Sequence, residues 1–219
     1  MKEFRDIYLS WRKGPTFSRH IVGVLKKNAT SGVRFYYFED KVKLAEAEGF
    51  SAYTEFPQFE KEYFDNVLEI FSQRLIKLER SDIQRFYDFW EIPKKYAEDN
   101  FYLLAHTMGL LPTDNFEFLA DYYPIKNLCF ITEIAGLSSR KIPSNSLKNE
   151  DVLTWKKDPN NKHDKFAVKL YKGDLELGYI KKVHSHVFYK TDTLKITVKA
   201  IDENGVLKRV FIKVRHSKL

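Results

Sequence analysis

The stretch that decides how the second half of the chain folds is DPNNKHDKFAVKLYKGDLELGYIKK, residues 158–182. It opens on Pro159-Asn160-Asn161, residue types that fix φ or bond their own backbone and so build turns. A His163-Asp164 pair follows, then two short apolar runs, the second ending in Gly178-Tyr179 just before Lys181-Lys182. A buried core needs none of these polar groups in this order. The run therefore serves either a demanding turn or a ligand.

The surrounding sequence is a series of short strand candidates. LCFITEIAG, DVLTWKK, KFAVKLYKG, LELGYIKK, TLKITVKAI and VLKRVFIKVRH recur at nearly regular spacing with Gly and Asn between them, the pattern of a small all-β barrel of SH3 or OB type. Asn204-Gly205 lies between two alternating runs and predicts a hairpin, because both residues tolerate positive φ. GLSSRKIPSNSLKNED reads as a polar surface loop, KKVHSHVFYK as a short helix, and Trp155 and Phe188 as barrel core.

Upstream, the period changes. DIYLSW, HIVGVLKK and VRFYYFED are β-branched and aromatic runs separated by turn formers, which predicts an antiparallel meander. VKLAEAEGF reads as a short helix stopped by Gly49. Apolar residues at three- and four-residue steps from Glu62 to Leu78 predict a helix. A second helix starts at Ser81 and Gln84, which have capping-box spacing, and ends at Pro93. A third runs from about Tyr96 to Thr107 with Gly109 as its stop, and PTDNFEFLADYY opens a short fourth capped by Asp114. The expected fold class is α+β: residues 1–125 form a meander with helices, and residues 126–219 form the barrel.

Charge separates the same two parts. Residues 1–130 carry 18 Lys+Arg against 20 Asp+Glu, whereas residues 131–219 carry 19 against 10. A basic excess of that kind attracts polyanions by releasing their counterions, so nucleic acid is the first partner to consider; scattered solubilising lysines are the plain alternative. The single cysteine, Cys129, excludes an intramolecular disulfide and a cysteine metal cluster. MKEFRDIYLSWRKG lacks the apolar core of a signal peptide, and no run reaches 18 apolar residues. The sequence reads as cytoplasmic, with no membrane association.

On ITEIAGL with Gly136, VLTWKKDP, DPNNKHDKFAVKLY and LELGYIKK, residues 130 to about 190 resemble a HIRAN domain. This small barrel occurs in some helicase-like chromatin remodellers of eukaryotes and, in bacteria, alone or beside other modules. Lys157-Asp158-Pro159 and His163-Asp164-Lys165-Phe166-Ala167-Val168 fit the family's third element, with Phe166 where Asn is common. The resemblance implies binding of single-stranded DNA with recognition of a free 3′ end. It implies that Asp164 accepts from the terminal hydroxyl, His163 stacks on the terminal base or sugar, Tyr179 takes a position that is His in the remodeller type, and Lys181 and Lys182 meet phosphate. Ser138-Ser139 stand where the family carries Arg-Tyr; Arg140 and Lys141 follow in charge but not in register. Asn161 and Lys165 complete the candidate DNA-binding set.

Each candidate also has a plainer reading. Asn161 and Asp164 can hold the turn through their own backbone, which is compatible with a ligand role, and Lys181 and Lys182 can form a solvated face. His163, His184 and His186 lack convincing metal spacing, and no nucleophile elbow, Ser-His-Asp set or phosphate loop stands out. No catalytic residue, metal or cofactor is expected.

RHIVGVLKK, VRFYYFED, EYFDNVLEIFSQRL, ERSDIQRFYDFWEI and DNFYLLAHTMG follow the order of the small N-terminal subdomain of HipA-type kinases, without the kinase core. That resemblance implies a protein-interaction unit. The expectation is a non-catalytic DNA-binding accessory protein. Its rival is a regulator, antitoxin-like, of a HipA-like kinase or another enzyme, acting through protein contacts alone.

Overall fold

The computed structural model describes residues 2–28, 30, 32–77 and 79–216. They form two compact units, one of residues 5–120 and one of residues 1–4 with 121–219.

In the first unit the meander forms as expected. β1 (Phe4–Trp11), β2 (His20–Asn28) and β3 (Gly32–Tyr37) pair antiparallel. After α1 (Glu39–Glu46), α2 (Val67–Ser72), α3 (Ile83–Trp90) and α4 (Asn100–Thr107), the chain returns as β4 (Phe116–Tyr122), giving the sheet order β3-β2-β1-β4. Aromatic rings fill the core: Phe35, Phe56, Phe71 and Phe118 meet at centroid distances of 4.9 to 5.2 Å. α4 starts where the Asp99 carboxylate accepts from the backbone N–H groups of Phe101 (3.0 Å) and Tyr102 (3.1 Å).

Three helix expectations need correction here. The helix over Glu62–Leu78 shrinks to Val67–Ser72, because Tyr63 instead exchanges backbone hydrogen bonds with Phe35 at 2.8 and 2.9 Å and Asn66 turns left-handed; Leu78 lies outside the described residues. No Ser81–Gln84 capping box closes, since α3 is preceded by Asp82, whose carboxylate is taken by Arg80, while Gln84 bonds Asp88. The fourth helix is strand β4. There the Asp114 carboxylate accepts from both terminal guanidinium nitrogens of buried Arg74, at 2.5 and 2.8 Å, so the expected capping residue anchors a strand entrance rather than a helix.

The second unit is the expected small barrel. β5 (Cys129–Ala135), β6 (Val152–Lys157), β7 (Val168–Lys172), β8 (Leu175–Ile180), β9 (Leu194–Asn204) and β10 (Val206–His216) close in the order β10-β5-β8-β7-β6-β9. The Asn204-Gly205 hairpin forms, with Gly205 at φ +70° and Asn204 opposite Val206. β9 and β10 turn Ile196, Val198, Val210, Ile212 and Val214 into the core, where they are fully buried, and register shifts between Leu207 and Arg209 and between Phe211 and Ile212 interrupt the strand alternation. Phe188 is core, and Trp155 meets it edge-on at 5.0 Å while its indole N–H donates to the Leu194 carbonyl at 3.1 Å. KKVHSHVFYK yields a 3-10 helix over His184–Tyr189.

In α4, His106 is wholly buried against Tyr102, with rings 4.0 Å apart, and burial pushes its imidazole down to about 3. The unfolded imidazole protonates near pH 6.5 and the folded one only near pH 3, so between these values the unfolded state binds more protons. This contribution is fully present above pH 6.5 and declines as pH falls, by at most about 1.4 kcal/mol per pH unit. Denaturant unfolding from pH 7 to pH 4 is expected to show a shallower pH dependence for His106→Phe than for the wild type. Parallel pH profiles would rule His106 out as the source.

Candidate nucleic-acid interface

The loop joining β6 to β7 is a closed, self-bonded structure. The Asp158 N–H donates to the Ala167 carbonyl at 2.8 Å, and the Ala167 N–H to the Asp164 carbonyl at 3.0 Å. Inside it, the Asn161 side-chain oxygen accepts from the backbone N–H of His163 (2.9 Å) and of Asp164 (3.3 Å), and its amide reaches Asp158. One carboxylate oxygen of Asp164 accepts from the Phe166 N–H at 2.9 Å. Asn161 is thus a turn builder. Asp164 is half committed: among the described residues its other carboxylate oxygen accepts no hydrogen bond. His163 and Lys165 project from the loop and are exposed.

Tyr189 backs this turn. Its hydroxyl donates to the Ala167 carbonyl at 3.1 Å and its ring meets Phe166 at 5.3 Å. Burial, and then the Asp164 carboxylate, hold its phenol above the ordinary range.

The segment after β5 brings a second group of candidates to the outer face of β8. Gly136 turns left-handed at φ +82°, and the chain coils once through Leu137–Ser139. The Ser139 hydroxyl donates to the Gly136 carbonyl at 2.9 Å, which leaves it a local structural part, while Ser138 is exposed. Arg140 folds back over the same turn. Its guanidinium donates to Gly136 O (2.9 Å) and to Glu176 (2.6 Å), and lies 5.4 Å from the centre of the Tyr179 ring. Arg140, one residue after Ser138-Ser139, thus lies over the Tyr179 ring. Lys141 is exposed with φ +49°.

Tyr179 stands opposite Ala135 in β5 and Lys169 in β7. This register needs Gly178: at φ +150°, a Cβ there would lie 2.3 Å from the Ala135 carbonyl oxygen. Lys169 is a member that the sequence reading missed. It links the two groups, with its ammonium 3.6 Å from Asp158 and 3.9 Å from Glu176, and the neighbouring Tyr179, then Glu176, raise its pKa. Only strand pairing could reveal it, since a lysine in KFAVKLY looks like any polar strand residue.

Lys181 requires correction. It is 3% exposed and its ammonium pairs with buried Glu133 in β5, so it is neither a solvated nor a phosphate-facing residue. The other Glu133 oxygen accepts from Arg209 in β10 at 2.5 Å. Lys182 is half-buried. Immediately after it the His184 N–H donates to the Lys182 carbonyl at 2.9 Å around Val183, which has φ 70° and ψ −55°. That is a γ-turn of the rare, strained form. Both flanks are pinned to β5: Lys181 to Glu133, and His184 Nδ1 to Thr132 Oγ1 at 2.8 Å.

The family model for the HIRAN domain matches residues 127–203, which span β5 through most of β9. The crystal structure of the HIRAN domain of human HLTF is similar at 17% identity and a TM-score of 0.32, covering 41% of this chain and 77% of that one. No curated protein matches the sequence. The family match leaves the first unit outside, and the HipA-type likeness receives no support from these comparisons.

Stability measurements separate the two lysines. Lys181→Ala leaves Glu133 with a buried charge missing one partner and is expected to cost about 3 to 5 kcal/mol. Lys182→Ala should change stability by no more than about 1 kcal/mol. Denaturant unfolding of both variants checks this, and equal small losses would mean that Lys181 is not structural.

Proposed function

We propose that the protein binds single-stranded DNA through its barrel and engages a free 3′ end at the Asn161–Asp164 turn, without catalysing a reaction. The observation that carries this reading is the state of Asp164. A turn-capping aspartate has no need of a second carboxylate oxygen, yet the loop holds that oxygen in place with no protein donor among the described residues. An ionised carboxylate is acceptor-only, so its natural ligand is a hydroxyl or amide donor, and a strand end supplies a hydroxyl. His163 beside it offers a flat ring for a base or sugar, Arg140 and Tyr179 offer a cation and a second ring, and Lys182 offers an ammonium for phosphate. The HIRAN match supports the same direction. The first unit, in this reading, serves as a protein-interaction platform.

The local geometry makes one substitution diagnostic. Asp164→Asn can still accept from the Phe166 N–H and so keep the turn, but it replaces the outer acceptor with a donor. The wild type is expected to prefer a 3′-hydroxyl over a 3′-phosphate oligonucleotide, because a phosphate sets a second anion against the carboxylate. Asp164→Asn should erase that preference at a cost of about 1.5 to 3 kcal/mol in binding, with a nearly unchanged melting curve. Competition between the two oligonucleotides reads this directly. Absence of any end preference in the wild type would remove the proposed role.

A further inference from the structure

The outward positions of β6, β7 and β8 continue the candidate surface away from the end-binding turn. Lys156 stands opposite Lys169, Thr154 opposite Tyr171, and Lys169 opposite Tyr179, while Leu153, Val168 and Leu170 on the same strands point into the core. Two residues along a strand advance about 7 Å on one face, so Tyr171 lies one such step beyond Lys169 toward the β7–β8 hairpin. The acids of this region are already engaged: Glu176 by Arg140, Asp158 beside Lys169, and Asp151 by Lys172 at 2.7 Å. Lys156 differs. It is exposed, its ammonium lies 5.5 Å from the centre of the Tyr171 ring, and it has no carboxylate partner among the described residues.

Resting on the end-binding reading above, we infer that Lys156 and Tyr171 form a second contact for the same DNA strand, upstream of its 3′ end. The lysine meets a backbone phosphate, and in doing so uncovers the tyrosine ring for stacking by a base. Charge complementarity selects a polyanion, and an interleaved cation and ring suit an unpaired strand whose bases are open to stacking. The barrel would then hold the end at one turn and the body of the strand along its outer wall.

Oligonucleotide length separates the two contacts. The full chain is titrated with a 3′-hydroxyl trinucleotide and with a decanucleotide ending in the same three bases, using wild type, Lys156→Glu and the Lys156→Ala/Tyr171→Ala double variant. Both variants are expected to weaken decanucleotide binding about tenfold or more, and to leave trinucleotide binding within about twofold, which also shows that they remain folded. Equal losses at both lengths, or no loss at either, overturn the second contact while leaving end binding intact. Failure of the wild type to bind either oligonucleotide overturns the end-binding reading, and this inference with it.

Discussion

Glu133 lies buried in β5, and its two carboxylate oxygens are engaged by residues from different parts of the barrel, Lys181 just after β8 and Arg209 in β10. A carboxylate withdrawn from water is tolerated only when it is paired and hydrogen-bonded, and both conditions are met here. The pairing fixes where the chain leaves β8. Three residues after Lys181, His184 is tied to Thr132, so two adjacent residues of β5 hold both sides of the strained turn at Val183. A β-branched residue with positive φ persists only when its surroundings impose it. The consequence is positional. Lys182 follows directly on Lys181, whose side chain is held by the buried Glu133 carboxylate.

Part of the basic character of the second half is engaged in such pairings. Lys157 pairs with Asp192, Lys172 with Asp151, Lys190 with Asp121, and Arg140 with Glu176. At Asp121, burial raises the carboxyl, but hydrogen bonds from His186 and Lys190 more than offset it and leave the group below its ordinary range. Near the β6–β7 loop and the outer wall, Lys156 and Lys165 stand over rings and have no carboxylate partner among the described residues. The placement of the cations, and not only their number, decides where a strand can lie.

The barrel was legible because its strands are short, regularly spaced and punctuated by residues that turn the chain, with Asn204-Gly205 the clearest example. The helical half was less so. Periodic apolar residues from Glu62 onward suggest one long helix, but an aromatic at Tyr63 gains more by bridging to Phe35 and entering the ring cluster, a long-range term that no local pattern contains. Asp114 misled for a similar reason. Its carboxylate looks like a helix cap until Arg74, forty residues earlier, claims it. Of the candidate site, the turn chemistry of Asn161 and Asp164 could be read locally, whereas the burial of Lys181 could not. Lys181 and Lys182 are indistinguishable in sequence, and only the register of β5 against β8 sets one opposite Glu133.

The central claim is that the barrel's outer surface takes an unpaired strand, attracted by charge and held by rings. The most direct measurement is the affinity of the whole chain for a 3′-hydroxyl oligonucleotide and for a blunt duplex of the same sequence across a salt series. The account predicts tighter binding of the single strand, with log affinity falling linearly in log salt by about 0.7 for each phosphate contact. Equal affinity for the duplex, or an affinity insensitive to salt, would contradict it.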